Sequence, residues 1–508
     1  MNVATLGEAN FERHGEYVSV VFNGQEFTNK QLLDEAVKLA AALRSLGVEP
    51  GDRVAVMLPN SPKVGTCYGA ILRLGGVVVP MIFLLAVPEV HHILGDCRAK
   101  VIFTSPEFYP VVRAGIDGLT NPPVVVVTGD APQDPGVLSY DALIASATGA
   151  VPVVDRDGED LAVISYTSGT TGRPKGVMLT HANLLFNAEN TSKVVPTRDG
   201  DTSILCLPLA HLFGLGASLV GQLFKIKGVL LPWFTAEGFF EAMNTYHPQS
   251  ASLVPTMASF MLGHPDFDET DWSSLEWTVI AAAPVPVELA DEFEKRTGAR
   301  VLEGYGLTET SPTASIMRME DGRRPGSCGK PVPNVEVAIL DEDDHPVPVG
   351  EQGEVCIKGP NVMKGYYNLP EETEKALRNG WFHTGDVGKL DEDGFLYITE
   401  RKKDMIIRGG FNIYPRDIEE VLYGHPAVQE AAVVGVPDAT MGEEVLAYVV
   451  LRPGFEAHEE ELLTLCRESL AKYKSPTWVR FIEVLPKNPV GKILKKDLRE
   501  LAKAEQLR

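Results

Sequence analysis

Short runs rich in valine and isoleucine recur through the first three hundred residues: Val101–Thr104, Val124–Thr128, Leu161–Ile164, Gly228–Leu231, Trp277–Ala281 and Val301–Leu302. Stretches with helical spacing lie between them. Residues 31–47, for instance, repeat apolar positions at the helical period until Gly47 ends the run. Gly51–Pro59 then reads as a strand with a turn at each end. Strand alternating with helix predicts layered α/β architecture. From about Arg324 the texture changes: Gly and Pro punctuate short strands such as Val335–Leu340, Glu354–Lys358 and Phe395–Ile398, which predicts a small β subdomain over about 325–400. Helix and strand signals mix again after Arg401, in Asp417–Leu422, Val428–Val436, Val445–Leu451 and Glu459–Leu470. A length of 508 residues allows two to four domains, and no fixed-period repeat is visible.

The segment Ile164–Gly176, Ile-Ser-Tyr-Thr-Ser-Gly-Thr-Thr-Gly-Arg-Pro-Lys-Gly, carries the clearest chemistry. Apolar strands flank it, so it reads as a loop between Leu161–Ile164 and Gly176–Leu179. Backbone N–H groups at Gly169 and Gly172 can surround an anion. Ser168, Thr170 and Thr171 add donors, and Lys175 adds a charge. This is a polyphosphate loop by its chemistry. It is not a Walker A loop, because the spacing differs and no helix starts straight after the lysine. The blander reading is a flexible Gly/Ser/Thr surface loop.

Lys+Arg total 46 against Asp+Glu 69, a formal charge of −23 that argues against nucleic-acid binding. An acidic chain that takes polyanions must concentrate positive charge locally. The six cysteines are scattered without a CxxC pair, which points away from zinc or a disulfide framework and towards a reduced, cytoplasmic setting. No signal peptide is visible. The apolar run Leu74–Val87 is interrupted by Pro80 and is shorter than the ~20 residues of a spanning helix, so a buried strand and turn is expected. That run still leaves room for contact with a membrane surface.

Tyr166–Gly176 resembles the signature loop of the adenylate-forming superfamily, which includes acyl-CoA synthetases, luciferases and peptide-synthetase adenylation domains. Further matches follow in the family's order: Leu207–Leu215, Glu303–Thr310, Trp381–Gly388 with Arg401–Pro415, and Pro486–Lys492. The resemblance spans essentially the whole chain and is weakest before about residue 50. It implies a large N-terminal domain of layered α/β subdomains plus a small β-barrel-like subdomain, residues 1–402. A small mobile α+β C-terminal domain follows, residues 403–508, with its hinge at Lys403. Members often carry a polar residue after the proline of the apolar run. Met81-Ile82-Phe83 departs from that, so either the surface there packs on something apolar or the core is rearranged.

The resemblance also implies roles. The chain would be an AMP-forming acyl-CoA ligase using ATP, Mg²⁺ and coenzyme A with a small-molecule carboxylic acid. An anion must then approach a polyanion, so aligned donors and positive charge matter more than a strong base. Thr167, Ser168, Gly169, Thr170, Thr171, Gly172 and Lys175 would hold phosphates. Glu309 would bind Mg²⁺, and Thr308 would donate to the α-phosphate. Tyr305 would stack on adenine within Glu303-Gly304-Tyr305-Gly306, with Ala282 and Ala283 lining the purine. Asp386 and Arg401 would hold the ribose. Lys492 would bridge the acyl carboxylate and the α-phosphate as a charge stabiliser, being protonated at neutral pH. Gly409 and Gly410 would border the pantetheine tunnel, and Arg408 would meet a CoA phosphate.

His211, between the acyl pocket and the carboxylate, is equally readable as a satisfied core histidine. A pocket of His211, Gly214, Val254, Ala281 and Gly306 would be apolar and roomy, which fits a medium- or long-chain fatty acid or another bulky apolar acid. Two alternatives stand beside the ligase: an acyl-AMP ligase loading a carrier protein, and an inactive nucleotide-binding homologue. Intact Lys175, Glu309, Asp386, Arg401 and Lys492 argue against the second.

Overall fold

Two sheets of mainly parallel strands form the large domain, and their strand ends face a common cleft. The computed structural model describes residues 1–130, 132–167, 174–401, 404–409, 411–438, 440–488 and 491–505, excluding the side chain of Arg401. The first sheet runs in the order Lys330–Pro331, Thr313–Ile316, Arg300–Gly306, Trp277–Ile280, Ser250–Leu253, Thr202–Leu205, Lys227–Leu230, Val18–Phe22 and Gln25–Thr28. The second runs Gly365–Tyr366, Lys175–Thr180, Leu161–Thr167, Val77–Pro80, Arg53–Met57, Val101–Thr104, Val124–Val127 and Val137–Ser139. Inner neighbours pair in parallel, as Trp277 with Arg300 and Arg53 with Val77 do. Ligands of such sheets collect outside the carboxyl ends of the strands.

The helix Asn29–Ser45 shows how local sequence sets these elements. Thr28 caps it by accepting from the Gln31 N–H, and the Gln31 side chain answers by accepting from the Thr28 N–H. Its apolar face buries Leu39, Ala40 and Leu43, and Gly47 at φ +81° reverses the chain beyond it. Leu161–Thr167 runs antiparallel to Lys175–Thr180, pairing Thr167 with Lys175. The segment after Lys175 is therefore a strand, and the next helix begins only at His181.

The apolar run resolves as the strand Val77–Pro80 followed by a turn. Met81 is fully buried, and the Phe83 ring packs on Phe108 with centroids 5.1 Å apart. The apolar replacement after the proline thus belongs to the protein's own core, while Leu84 emerges at the surface. No helix among the described residues is long and apolar enough to cross a membrane.

Residues 336–401 form a four-stranded antiparallel sheet, Glu336–Leu340, Gly353–Lys358, Phe382–Leu390 and Leu396–Arg401. The C-terminal part packs the helices Pro415–Tyr423, Glu459–Ser469 and Lys495–Ala504 around a sheet built on Val428–Asp438 and Gly442–Leu451. Its cores are separate from those of the large domain.

Candidate active site

One cavity of about 920 Å³ occupies the cleft, and it gathers residues from motifs far apart in the chain. Tyr166, Thr167 and Lys175 reach it from the second sheet. Ala281, Ala282, Gly304, Tyr305 and Gly306 reach it from the carboxyl ends of the first. Thr308 and Glu309 enter on the turn that follows, and Lys492 enters from the C-terminal domain. A Cβ at Gly306 would lie 1.9 Å from the Pro312 carbonyl oxygen, so only glycine lets the chain double back here.

Charged groups at this end hold one another. Lys175 Nζ lies 2.6 Å from Glu372 Oε2 and 5.2 Å from the Tyr366 ring centroid. The Tyr366 hydroxyl donates to Glu309 Oε1 at 2.9 Å. The Tyr305 hydroxyl donates to Asp386 Oδ2 at 2.6 Å, which joins the expected adenine ring-stacker to the expected ribose carboxylate. Asp386 is buried and sits opposite Arg401 in the strand register.

Lys492 is presented by a tight loop. Its N–H donates to Asn488 Oδ1 at 2.8 Å, and its carbonyl accepts from the Asn488 N–H at 2.8 Å. A Cβ at Gly491 would lie 2.6 Å from Thr256 Oγ1, so this loop presses directly on the large domain. His211 caps the helix Leu212–Gly221, its Nδ1 accepting from the Phe213 N–H at 3.2 Å. Burial, with help from the Lys492 charge, depresses its imidazole pKa to about 4, so His211 is neutral at pH 7.

From His211 the cavity continues as a gallery over the first sheet. Val279, Ser252, Ser203, Gly228 and Val20 floor it on successive strands, a run of four spacings or about 19 Å. Small residues of the covering helices roof it: Gly65 and Gly69, Ala36, and Ala217 and Gly221. A Cβ added at Gly65 or Gly221 would meet nothing within 4 Å. The far end is closed by Asn10, Tyr17 and Asn29, with the Tyr17 hydroxyl and Asn29 Nδ2 both donating to Asn10 Oδ1.

Several expected residues lie elsewhere. Gly214 and Val254 do not line the cavity: Gly214 is pressed against the Pro208 carbonyl, and Val254 faces Gly491. Ala283, Glu303 and Asp386 are also absent from its walls, Asp386 being joined to the cavity through the Tyr305 hydroxyl. Glu303 is buried, and its carboxyl pKa is pushed up to about 7 by that burial, against the pull of Arg323 and Arg416. Arg408 is held inside its own domain, 2.8 Å from Glu444 and donating to the Tyr473 and Ser475 carbonyls, with Gly409 beside Met441. Ser168, Gly169, Thr170, Thr171, Gly172, Lys403 and Gly410 lie outside the described residues. Sequence reasoning missed Tyr366, Glu372 and the roof glycines, none of which stands in a phosphate or hydroxyl motif, and Asn488, which lies inside the Lys492 motif.

Comparison with known proteins closes the question of kind. The AMP-binding enzyme family model matches residues 7–367, and the model of its C-terminal domain matches residues 417–492. The chain belongs to the adenylate-forming family of AMP-binding enzymes. A long-chain-fatty-acid–CoA ligase of Bacillus subtilis is 38% identical over 518 aligned residues, covering 96% of this chain and 92% of that protein. A feruloyl-CoA synthase of Amycolatopsis is 37% identical, with 95% of each covered. The crystal structure of an anthranilate CoA ligase in complex with anthranoyl-AMP superposes with a TM-score of 0.95 at 30% identity, covering 100% of this chain and 98% of that one. The chain is accordingly an AMP-forming acyl-CoA synthetase, with ATP, CoA and a carboxylic acid as its substrates.

Proposed function

We propose that the synthetase activates a long or bulky apolar carboxylic acid, and that Lys492 and the Lys175–Glu309 end of the cavity carry the chemistry. One observation supports this reading above the others: the cavity that holds these charged residues continues, past a neutral His211, into a mainly apolar gallery about 19 Å long. Relatives acting on fatty, feruloyl and anthranilate substrates leave the acid open, and it is the gallery that favours the long apolar class.

In the first half-reaction a carboxylate oxygen attacks the α-phosphorus of ATP, and the bond to the bridging oxygen breaks to release pyrophosphate. Lys492 stabilises charge building between the two anions, and Lys175 takes up charge on the leaving phosphates. Tyr305 and Asp386 hold adenine and ribose, with Arg401 beside them. Thr308 donates to the α-phosphate. His211, uncharged, orients the carboxylate without placing a cation at the mouth of the apolar gallery. Glu309 offers one carboxylate on the cavity wall, a donor set that suits Mg²⁺ shared with phosphate oxygens. Bound there, Mg²⁺ would neutralise those oxygens. In the second half-reaction the CoA sulfur attacks the acyl carbonyl and AMP leaves. This step requires Lys492 to withdraw, with the C-terminal domain turning at Lys403 and Gly409–Gly410 approaching the pantetheine arm.

Mass spectrometry of the protein with ATP, Mg²⁺, CoA and acids from acetate through palmitate to cinnamate and terpenoid acids tests the reading. Acyl-CoA and AMP from the long apolar acids, with acetate poor, is expected. Preference for acetate would refute the gallery's role. Acyl-AMP without acyl-CoA would shift the acceptor to a carrier protein.

A further inference from the structure

Lys175 is the residue to which the proposed function assigns the leaving phosphates, yet a carboxylate already holds it. Glu372, in the first turn of the helix Pro370–Ala376, places Oε2 2.6 Å from Lys175 Nζ. The lysine side chain is only 15% exposed and the glutamate 36%, so solvent screens the contact incompletely. The pair is fixed from both sides. The strand Gly365–Tyr366 pairs with Lys175–Thr180, and the Tyr366 N–H donates to Oγ1 of Thr373, the residue after Glu372, at 2.9 Å. The Tyr366 ring carries Lys175 on its face while its hydroxyl donates to Glu309. A line of contacts therefore runs Glu372–Lys175–Tyr366–Glu309 along the charged wall.

A carboxylate against a phosphate-binding lysine works against ATP in two ways. It occupies an ammonium N–H that a phosphate oxygen needs, and its negative charge repels the incoming polyanion. The same contact assists departure. When pyrophosphate leaves, the partly buried ammonium regains a counter-ion instead of standing unpaired. Adjacent Glu371 is exposed on the same helix and is not paired with Lys175, so proximity to the lysine separates the two acids.

We propose that Glu372 competes with the β- and γ-phosphates for Lys175, restraining ATP binding and promoting pyrophosphate release. The proposal rests on the phosphate role read for Lys175.

Titration calorimetry with Mg-ATP, Mg-pyrophosphate and AMP on the full chain tests it. Glu372→Gln should bind ATP and pyrophosphate about fivefold more tightly, the scale of one partly screened ion pair. AMP, which lacks both outer phosphates, should bind as before. The gain should shrink at high salt, and Glu371→Gln should show none of it. Unchanged or weaker ATP binding in a Glu372→Gln protein with a wild-type melting curve would overturn the proposal. An equal shift for AMP would reduce it to a general charge effect and overturn it too. Lys175→Ala separates the layers: ATP affinity equal to wild type would remove the phosphate role itself, whereas weaker ATP binding there with no response at Glu372→Gln would remove only the competition.

Discussion

The two ends of the cavity are built on opposite principles. The nucleotide end uses charged and hydroxyl side chains at strand ends and turns: Lys175, Thr308, Glu309, Lys492. Each engages a partner or faces the cleft, and one atom misplaced alters the chemistry. The gallery uses what side chains leave vacant. Gly65, Gly69, Ala36, Ala217 and Gly221 sit on regular helices, over a sheet in which Ser250 Oγ donates to Ser203 Oγ at 3.0 Å. The difference teaches that charge placement is local to a few side chains, whereas room for the proposed acid comes from side-chain volume left out across several elements. His211 stands between the two ends, and its neutrality suits both.

The sharpest break in that comparison is Lys492→Ala. Acyl-AMP formation should fall about a thousandfold or more, while thioester formation from supplied acyl-AMP persists, because only the first step joins two anions. Equal losses in separate assays of the two half-reactions would remove the role assigned to Lys492.

Filling the gallery should act on the acid alone. Gly65→Leu and Gly221→Leu add side chains where a Cβ meets no neighbour, so the fold should tolerate them. The kcat/KM for palmitate should drop about a hundredfold, and that for a short acid should stay near wild type, since the lost contacts are those of apolar burial. Parallel losses for long and short acids would place the chain of the substrate elsewhere.

Glu303 offers a third contrast, a charge on the strand that carries Gly304–Gly306 yet outside the cavity. Its folded pKa of about 7 stands above the unfolded 4.5. The folded state therefore holds the proton more tightly, and the cost of ionising Glu303 grows as pH rises from the lower value and is complete above the higher. Glu303→Gln should raise stability by about 3 kcal/mol above pH 7 and by little near pH 4.5. Paired melting curves at the two pH values, with unchanged KM for ATP, check this.

The smallest effect concerns His211. Its folded pKa lies below its unfolded one, so it takes up a proton only as pH falls towards about 4. Normalised pH–rate profiles of wild type and His211→Gln should superimpose above about pH 6 and separate only in acid. A wild-type ionisation near neutrality that vanishes in the variant would show His211 to be a general base.

Much of the charged end was legible in the chain. Lys175, Thr308, Glu309, Tyr305 and Lys492 stand in short motifs whose residue types advertise phosphate chemistry, and all five meet at one cavity. The gallery was far less legible. Gly214 and Val254 were expected in it and line nothing there, because a small residue in an apolar helix reads the same whether it faces a cavity or, like Gly214, a neighbouring carbonyl. Gly65 and Gly221 gave no signal at all. Arg408 shows the converse: a cation beside glycines suggests an anion site, and only the structure shows Glu444 2.8 Å from it.

What the sequence determined by itself is the set of elements and the chemical class. Apolar runs with helical intervals dictate parallel α/β sheets, and hydroxyl, glycine and lysine clusters dictate phosphate handling, because both properties are local to a few neighbouring residues. Only the tertiary structure decided that Lys492 enters the cleft beside His211, that Glu372 sits on Lys175, and that small residues from three helices align into one gallery. Those facts depend on distances between segments up to hundreds of residues apart, and empty space, unlike charge, belongs to no single residue.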